Sequence, residues 1–211
     1  MLKKFVRTMA YIGGIVTGFY LFASAPGIHK KKKWQHLTGW DYAHRGLYDN
    51  EHGIPENSMA AFRRAVDKGY GIELDVHLTA DNQLVVFHDD TLTRMCGMNK
   101  KISSFLYSDL MQLRLLGTEE GIPLFKDVLE LIDGKVPLII ELKVDGSNQN
   151  LLCPLVWQLL SRYKGDYCIE SFHPFVLQWF KRHEPQVVRG QLSCNFFKEN
   201  PHCDIVLFLM S

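Results

Sequence analysis

Seven side chains in four short clusters of this sequence have the types and spacing to do chemistry: His44-Arg45, Glu73-x-Asp75, His88 and Glu141-x-Lys143. Glu73 and Asp75 stand two apart in a strand-like run, so they share one face, where two carboxylates repel each other unless a cation or a buried partner separates them. Glu141 sits inside a second apolar run, where a glutamate is costly to bury without a partner. Together Glu73, Asp75 and Glu141 could give three oxygen ligands to a hard cation, with water completing the shell. The two histidines and the arginine fall at or near the ends of strand-length runs. This is an active site in outline.

The elements that must position these groups can be read around them. Trp40 to His44, Gly71 to Leu78 and Leu84 to His88 read as three strands. The segment Asn57 to Gly69 reads as a helix, capped by Asn57 or Ser58, with Phe62, Ala65 and Val66 on one face and Gly69 ending it. Strand, helix, strand is a parallel unit, and polar residues at strand C-terminal ends are where a (β/α) barrel carries its site. Thr91 to Leu116 leaves the strand pattern and predicts an excursion over the barrel mouth, with a helix from Ser103 to Leu113. After it come a helix over Ile122 to Ile132, a strand over Val136 to Val144, a helix over Leu151 to Tyr163, a strand over Asp166 to Phe172, a helix over Phe175 to His183 and a strand over Val187 to Ser193. Asp204 to Met210 reads as a partial seventh strand or an apolar tail.

Upstream of the domain, Lys3, Lys4 and Arg7 precede an almost charge-free run from Met9 to Ala25, which at ~17 residues is near the lower limit for crossing a bilayer. Ala23-Ser24-Ala25 resembles a signal-peptide cleavage site, but Pro26 directly after it disfavours cleavage, so a retained single-pass anchor is the reading over residues 1–33. A buried core helix would not carry such flanks: Lys30 to Lys33 are four consecutive lysines, the kind of cluster that anionic headgroups hold, more often on the cytoplasmic side. With basic residues on both sides, orientation is weakly specified. The chain of 211 residues has a net charge of +1, 46% hydrophobic and 22% charged residues, which fits one globular domain over residues 40–211 and no nucleic-acid partner. Five cysteines without a CxxC read as free thiols, which leans the domain towards a reducing compartment. Oligomeric state is not legible.

The ordered series His44-Arg45-Gly46, Pro55-Glu56-Asn57-Ser58, Glu73-Leu74-Asp75-Val76, Thr79-Ala80-Asp81, Val86-Phe87-His88-Asp89, Ile122-Pro123-Leu124 and Glu141-Leu142-Lys143 resembles the glycerophosphodiester phosphodiesterase family. The match runs from about Trp40 to Ser193. The resemblance implies a TIM-barrel phosphodiesterase that needs magnesium or calcium and releases glycerol 3-phosphate and an alcohol. The family's later segment, with its tryptophan-rich strand, has no match here, so the barrel is expected to stop after about six strands, as a truncated product.

Phosphodiesters are anions that resist nucleophiles, so their hydrolysis needs charge stabilisation at the phosphate, a base and an acid. On the resemblance, Glu73, Asp75 and Glu141 hold the cation, Arg45 and Lys143 bind the phosphate, and His44 and His88 are the acid-base pair, in an order the sequence does not fix. The pair's first step on this analogy is attack by the glycerol hydroxyl to give a cyclic phosphate. Glu56 is read as support for the loop after the first strand, and Glu170 either lines the mouth or is exposed. The remaining histidines are read as surface or core residues, His77 as a candidate for the rim. Three functions stay open: hydrolysis of glycerophosphodiesters; a lysophospholipase D or phospholipase-like activity on lipid; and an inactive phosphate- or lipid-binding membrane protein.

Overall fold

The computed structural model describes residues 34–193, isolated helical positions between residues 4 and 18, and the backbone of residues 206–210. Most of the apolar run 9–25 and all of the lysine flank lie outside the described residues. Among the described residues no helix is long and apolar enough to cross a membrane.

Gly71–Leu78 (β2) is the centre of the fold. It pairs in parallel with Tyr42–His44 (β1) on one side and with Leu138–Leu142 (β4) on the other. Tyr167–Ser171 (β5) and Val188–Ser193 (β6) continue the parallel series, giving the order β1-β2-β4-β5-β6. Helices cross between these strands: Met59–Asp67 (α1), Phe125–Ile132 (α2), Gln149–Leu160 (α3) and Pro174–His183 (α4). Parallel strands in chain order with intervening helices form an open section of a (β/α) barrel.

Alternation along the strands sorts the two faces. Ile72, Leu74 and Val76 of β2, with Leu138, Ile140 and Leu142 of β4, pack into the main core with Phe62 and Ala65 of α1, Phe125, Val128 and Ile132 of α2, and Leu152 and Val156 of α3. Asp75, Glu141 and Glu170 are register partners on β2, β4 and β5, so they form a row on the opposite face, away from the helices. His77 shares that face because β2 runs on to Leu78.

The stretch Leu84 to His88, read from sequence as a third barrel strand, is not one. Only Leu84–Val86 (β3) is strand, and it pairs antiparallel with the end of β2. The link from Leu78 to Leu84 explains this: a parallel crossover needs about a dozen residues or more, and a tight turn joins antiparallel neighbours. Thr79 makes that turn, its hydroxyl donating to Asp81 and accepting from the amide of Gln83, with Asn82 at φ 60°. Among the described residues, five parallel strands therefore stand where the sequence reading counts six. Val206–Met210 (β7) lies antiparallel on β6 and so does not extend the parallel series.

β3 also joins two cores. Leu84 and Val86 enter the main core, while Val85 and Phe87 enter a second one with Leu92, Met95, Ile102, Leu110, Leu115 and Ile122. The excursion from Thr91 to Leu116 is thus a small packed unit. The helix expected from Ser103 to Leu113 is replaced by a 3-10 turn, Ile102–Ser104, and one α turn, Tyr107–Leu110. Between them Phe105 stays extended, its carbonyl accepting from Ala80 while Asp81 accepts from the amide of Tyr107. Those bonds to the β2–β3 turn hold the chain out of a continuous helix.

Candidate active site

β1 ends in a tight turn in which the amide of Gly46 donates to Ala43. Arg45 takes a left-handed backbone (φ 57°) and Gly46 follows at φ 80°. A side chain at Gly46 would meet Ala61 Cβ at 2.9 Å, so the turn seats directly on α1 and needs glycine there. The turn points the amide of Arg45 at Glu73, whose Oε2 accepts it at 3.0 Å. Asn57, also left-handed at φ 54°, donates from its backbone to the Arg45 carbonyl and from Nδ2 to Asp75 Oδ2 at 2.8 Å.

Carboxylate oxygens of Glu73, Asp75 and Glu141 lie within 4.8 Å of one another. Asp75 is 0% exposed. Lys143 Nζ stands 3.0 Å from Asp75 Oδ1 and 2.8 Å from Glu141 Oε1, so one ammonium faces two of the three acids. Burial would raise the Asp75 carboxyl, but Lys143 wins and holds it below its ordinary range. Burial and the neighbouring Asp75 push Glu73 well above its ordinary value, and burial raises Glu141 against the pull of Lys143. Even with Lys143 nearby, Asp75 Oδ1 accepts no hydrogen bond of ordinary geometry, and Asn57 Oδ1 is likewise buried without a partner. Three oxygen donors, two orphaned acceptors and excess negative charge fit a hard divalent cation.

Around this cluster runs a ring of charged pairs. His88 Nδ1 is 2.7 Å from Asp89 Oδ1. Arg94 donates to Asp89 through Nε and Nη2, and to Glu56 through Nη1 and Nη2. Glu56, 4% exposed, also accepts from Arg45 Nη1 at 2.8 Å. Burial opposes ionisation of Glu56 and of Asp89, yet the guanidinium and imidazole partners hold both carboxyls below their ordinary range. His88, Asp89, Arg94, Glu56 and Arg45 are therefore one connected chain.

His44 Nε2 lies 3.8 Å from Glu73 Oε2, with about half of its side chain exposed. Burial, then the Arg45 charge, lower its pKa from 6.5. Every residue singled out from the sequence, His44, Arg45, Glu56, Glu73, Asp75, His88, Glu141 and Lys143, thus sits at this end of the strands. Arg45 differs from the expectation in one respect: Nη1 is taken by Glu56, and Nε is buried facing Asp75 Oδ2 at 3.9 Å, beyond hydrogen-bond range. Glu170 is buried in the acidic row beside Glu141, and burial with that neighbour pushes its carboxyl up to about 8.

Four residues with structural parts here had no such part in the sequence reading. Arg94 lies on a single helical turn, Thr93–Cys96, too short for periodicity to place it, Asp89 was legible only as a motif member, and Asn57 as a motif member and candidate helix cap. His77 is buried with Nε2 3.3 Å from the His88 carbonyl, under the loop that carries His88 and not at the rim. Burial lowers its pKa, favouring the neutral ring.

Comparison with known proteins gives concordant results. The sequence profile of the glycerophosphoryl diester phosphodiesterase family matches residues 44–196. Lysophospholipase D GDPD1 of Rattus norvegicus is 34% identical over 173 residues, covering 75% of this chain and 52% of that protein. A glycerophosphodiester phosphodiesterase of Caldanaerobacter subterraneus is 34% identical over 166 residues, covering 71% of this chain and 65% of the relative. A phosphodiesterase of Oleispira antarctica, solved with the product sn-glycerol-3-phosphate, superposes with a TM-score of 0.67 at 26% identity, covering 74% of this chain and 66% of its own. The chain spans about half the length of the rat relative and about two thirds of the two bacterial ones.

Proposed function

Because this chain belongs to the glycerophosphoryl diester phosphodiesterase family, we propose that it hydrolyses glycerophosphodiesters to glycerol 3-phosphate and an alcohol. The observation that carries this reading is the meeting of Glu73, Asp75, Glu141 and Lys143 with the His44-Arg45 turn at the strand C-terminal ends. Lysophospholipids are the second substrate class, favoured by the 34% identity to the rat lysophospholipase D. In that case the stretch 9–25, read from sequence as an anchor, would hold the domain at a lipid surface.

Glu73, Asp75 and Glu141 would hold magnesium or calcium, which when bound supplies Lewis-acid polarisation of a phosphate oxygen. Lys143, its ammonium 3.0 Å from Asp75 and 2.8 Å from Glu141, would place its charge and an N–H donor beside the phosphate. Arg45 would bring to the phosphate a guanidinium fixed by Glu56, with Nε facing Asp75 at 3.9 Å.

His44 acts as the base, because its lowered pKa keeps the imidazole neutral at pH 7. His88 acts as the acid. Its Nδ1 hydrogen bond to Asp89 fixes the ring and leaves Nε2 to carry the transferred proton, the orienting part a carboxylate plays behind a catalytic histidine.

The test is an enzyme-coupled assay of glycerol 3-phosphate release from glycerophosphocholine by the full chain. Release that stops with chelator and returns with magnesium or calcium supports the reading. Release indifferent to chelator removes the metal role, and no release under any condition removes the activity.

A further inference from the structure

Beside the acidic cluster, over the ends of β4 and β5, lies a recess of about 250 Å³. Glu141 and Lys143 form its inner wall, and Asp90, Ser171, Phe172 and His173 form the rest that matters here. At ~30 Å³ per water it has room for roughly eight waters, the scale of a small polar headgroup and far below that of an acyl chain.

The Asp90 side chain differs from the charged groups around it in lacking a hydrogen-bonded partner. The Asp90 carboxylate takes part in no hydrogen bond or ion pair among the described residues, whereas its neighbour Asp89 is fully engaged by His88 and Arg94. Lys101 and His77 feel the Asp90 charge only through space, Lys101 being paired with Asp145 at 2.6 Å. Phe172 is 43% exposed, and His173 keeps Nδ1 buried without a partner.

The wall is also held rigidly. Gln191 Nε2 donates to the carbonyls of Ser171 and Phe172, Ser171 Oγ donates to the Leu142 carbonyl, and the His173 amide donates to Ser171 Oγ. A rigid loop that carries an exposed aromatic ring on the same recess as a carboxylate without a hydrogen-bonded partner suits a cation. With Lys143 set against Glu141, Asp90 leaves the recess net negative, next to a centre built for an anionic phosphate.

We propose that this recess receives the alcohol arm of the phosphodiester, and that Asp90 and Phe172 select an arm carrying an ammonium cation over a neutral one. The proposal rests on the phosphodiesterase reading above and names the substrate class within it. The zwitterionic substrate then lies with its phosphate on the acidic cluster and Lys143 and its ammonium between the Asp90 carboxylate and the Phe172 ring.

The experiment compares kcat/KM of the full chain for glycerophosphocholine, glycerophosphoethanolamine and glycerophosphoglycerol, in the unmodified protein and in Asp90→Asn, Asp90→Glu and Phe172→Leu. The unmodified protein should favour the two ammonium esters about tenfold over the neutral one, a discrimination of the size a single charge or ring contact gives. Asp90→Asn should bring that ratio close to one, Asp90→Glu should restore most of it, and Phe172→Leu should lower the choline ratio. A ratio near one in the unmodified protein, or an equal loss on all three esters in Asp90→Asn, overturns the proposal and leaves the phosphodiesterase reading intact. Failure to hydrolyse any of the three overturns both.

Discussion

Arg94 grips Glu56 with two hydrogen bonds, Nη2 to Oε1 at 2.7 Å and Nη1 to Oε2 at 2.9 Å, across 38 residues of chain. A bidentate pair of this kind fixes orientation as well as distance. It ties the excursion, which carries Arg94, to the loop after β1, which carries Glu56 and through it Arg45. The same guanidinium holds Asp89 behind His88. One residue of the mouth thus sets the position of the groups proposed to bind phosphate and to donate the proton.

Arg94→Ala should therefore lower kcat about 10- to 100-fold, as loss of a supporting hydrogen-bond partner does at metal sites, while the fold survives. Arg94→Lys should recover little, because an ammonium cannot make both forked pairs. Steady-state kinetics with a circular-dichroism control checks this. Full activity in Arg94→Ala would show that Glu56 and Asp89 hold their places without it.

The acidic cluster predicts a metal affinity that depends on each carboxylate. Glu73→Gln keeps the shape and the bond from the Arg45 amide but removes a charge. Calorimetric titration with magnesium and with calcium should show at least a tenfold loss, roughly 1.4 kcal/mol. An unchanged dissociation constant would take Glu73 out of the ligand set.

The two histidines should separate by pH. A base must be neutral, and the His44 pKa is lowered from 6.5, so the acid limb of kcat/KM should fall below pH 6.5, with activity lost as pH drops through it. His44→Ala and His88→Ala should each cost about 10²–10⁴ in rate, and the acid limb should vanish in the first. An acid limb unchanged in His44→Ala would assign the base elsewhere.

Glu170 gives a stability signature. Its carboxyl titrates near 8 in the fold against 4.5 ordinarily, so between these values the folded state holds a proton that the unfolded chain has lost. Stability then falls as pH rises from 4.5 to 8 and levels off above. At about 1.4 kcal/mol per unit the effect is capped at roughly 5 kcal/mol. Glu170→Gln, melted in chelator, should gain Tm over the unmodified protein progressively from pH 5 to pH 8. A constant difference across that range would mean that Glu170 is ionised throughout.

How far the site was legible in the sequence follows from its physics. Period two put Glu73 with Asp75 and Glu141 with Lys143, and parallel registration of β2 with β4 then had only to place Asp75 opposite Glu141. The error over β3 also had a physical source. Leu84 to His88 has the apolar content of a barrel strand, and composition was weighed above the short turn from Thr79 to Gln83, which forbids a parallel crossover. Arg94 and Asp90 were out of reach, because a packed excursion built of short helical turns has no period. Their positions come from long-range contacts, here the second core around Leu92, Met95 and Leu115.

The most direct test of the central claim is a phosphorus NMR time course of glycerophosphocholine with the full 211-residue chain, in magnesium, in calcium and in chelator. The account predicts that the diester resonance is replaced by that of glycerol 3-phosphate with either metal and persists in chelator. A diester that persists in every condition, or that yields phosphocholine, would contradict it.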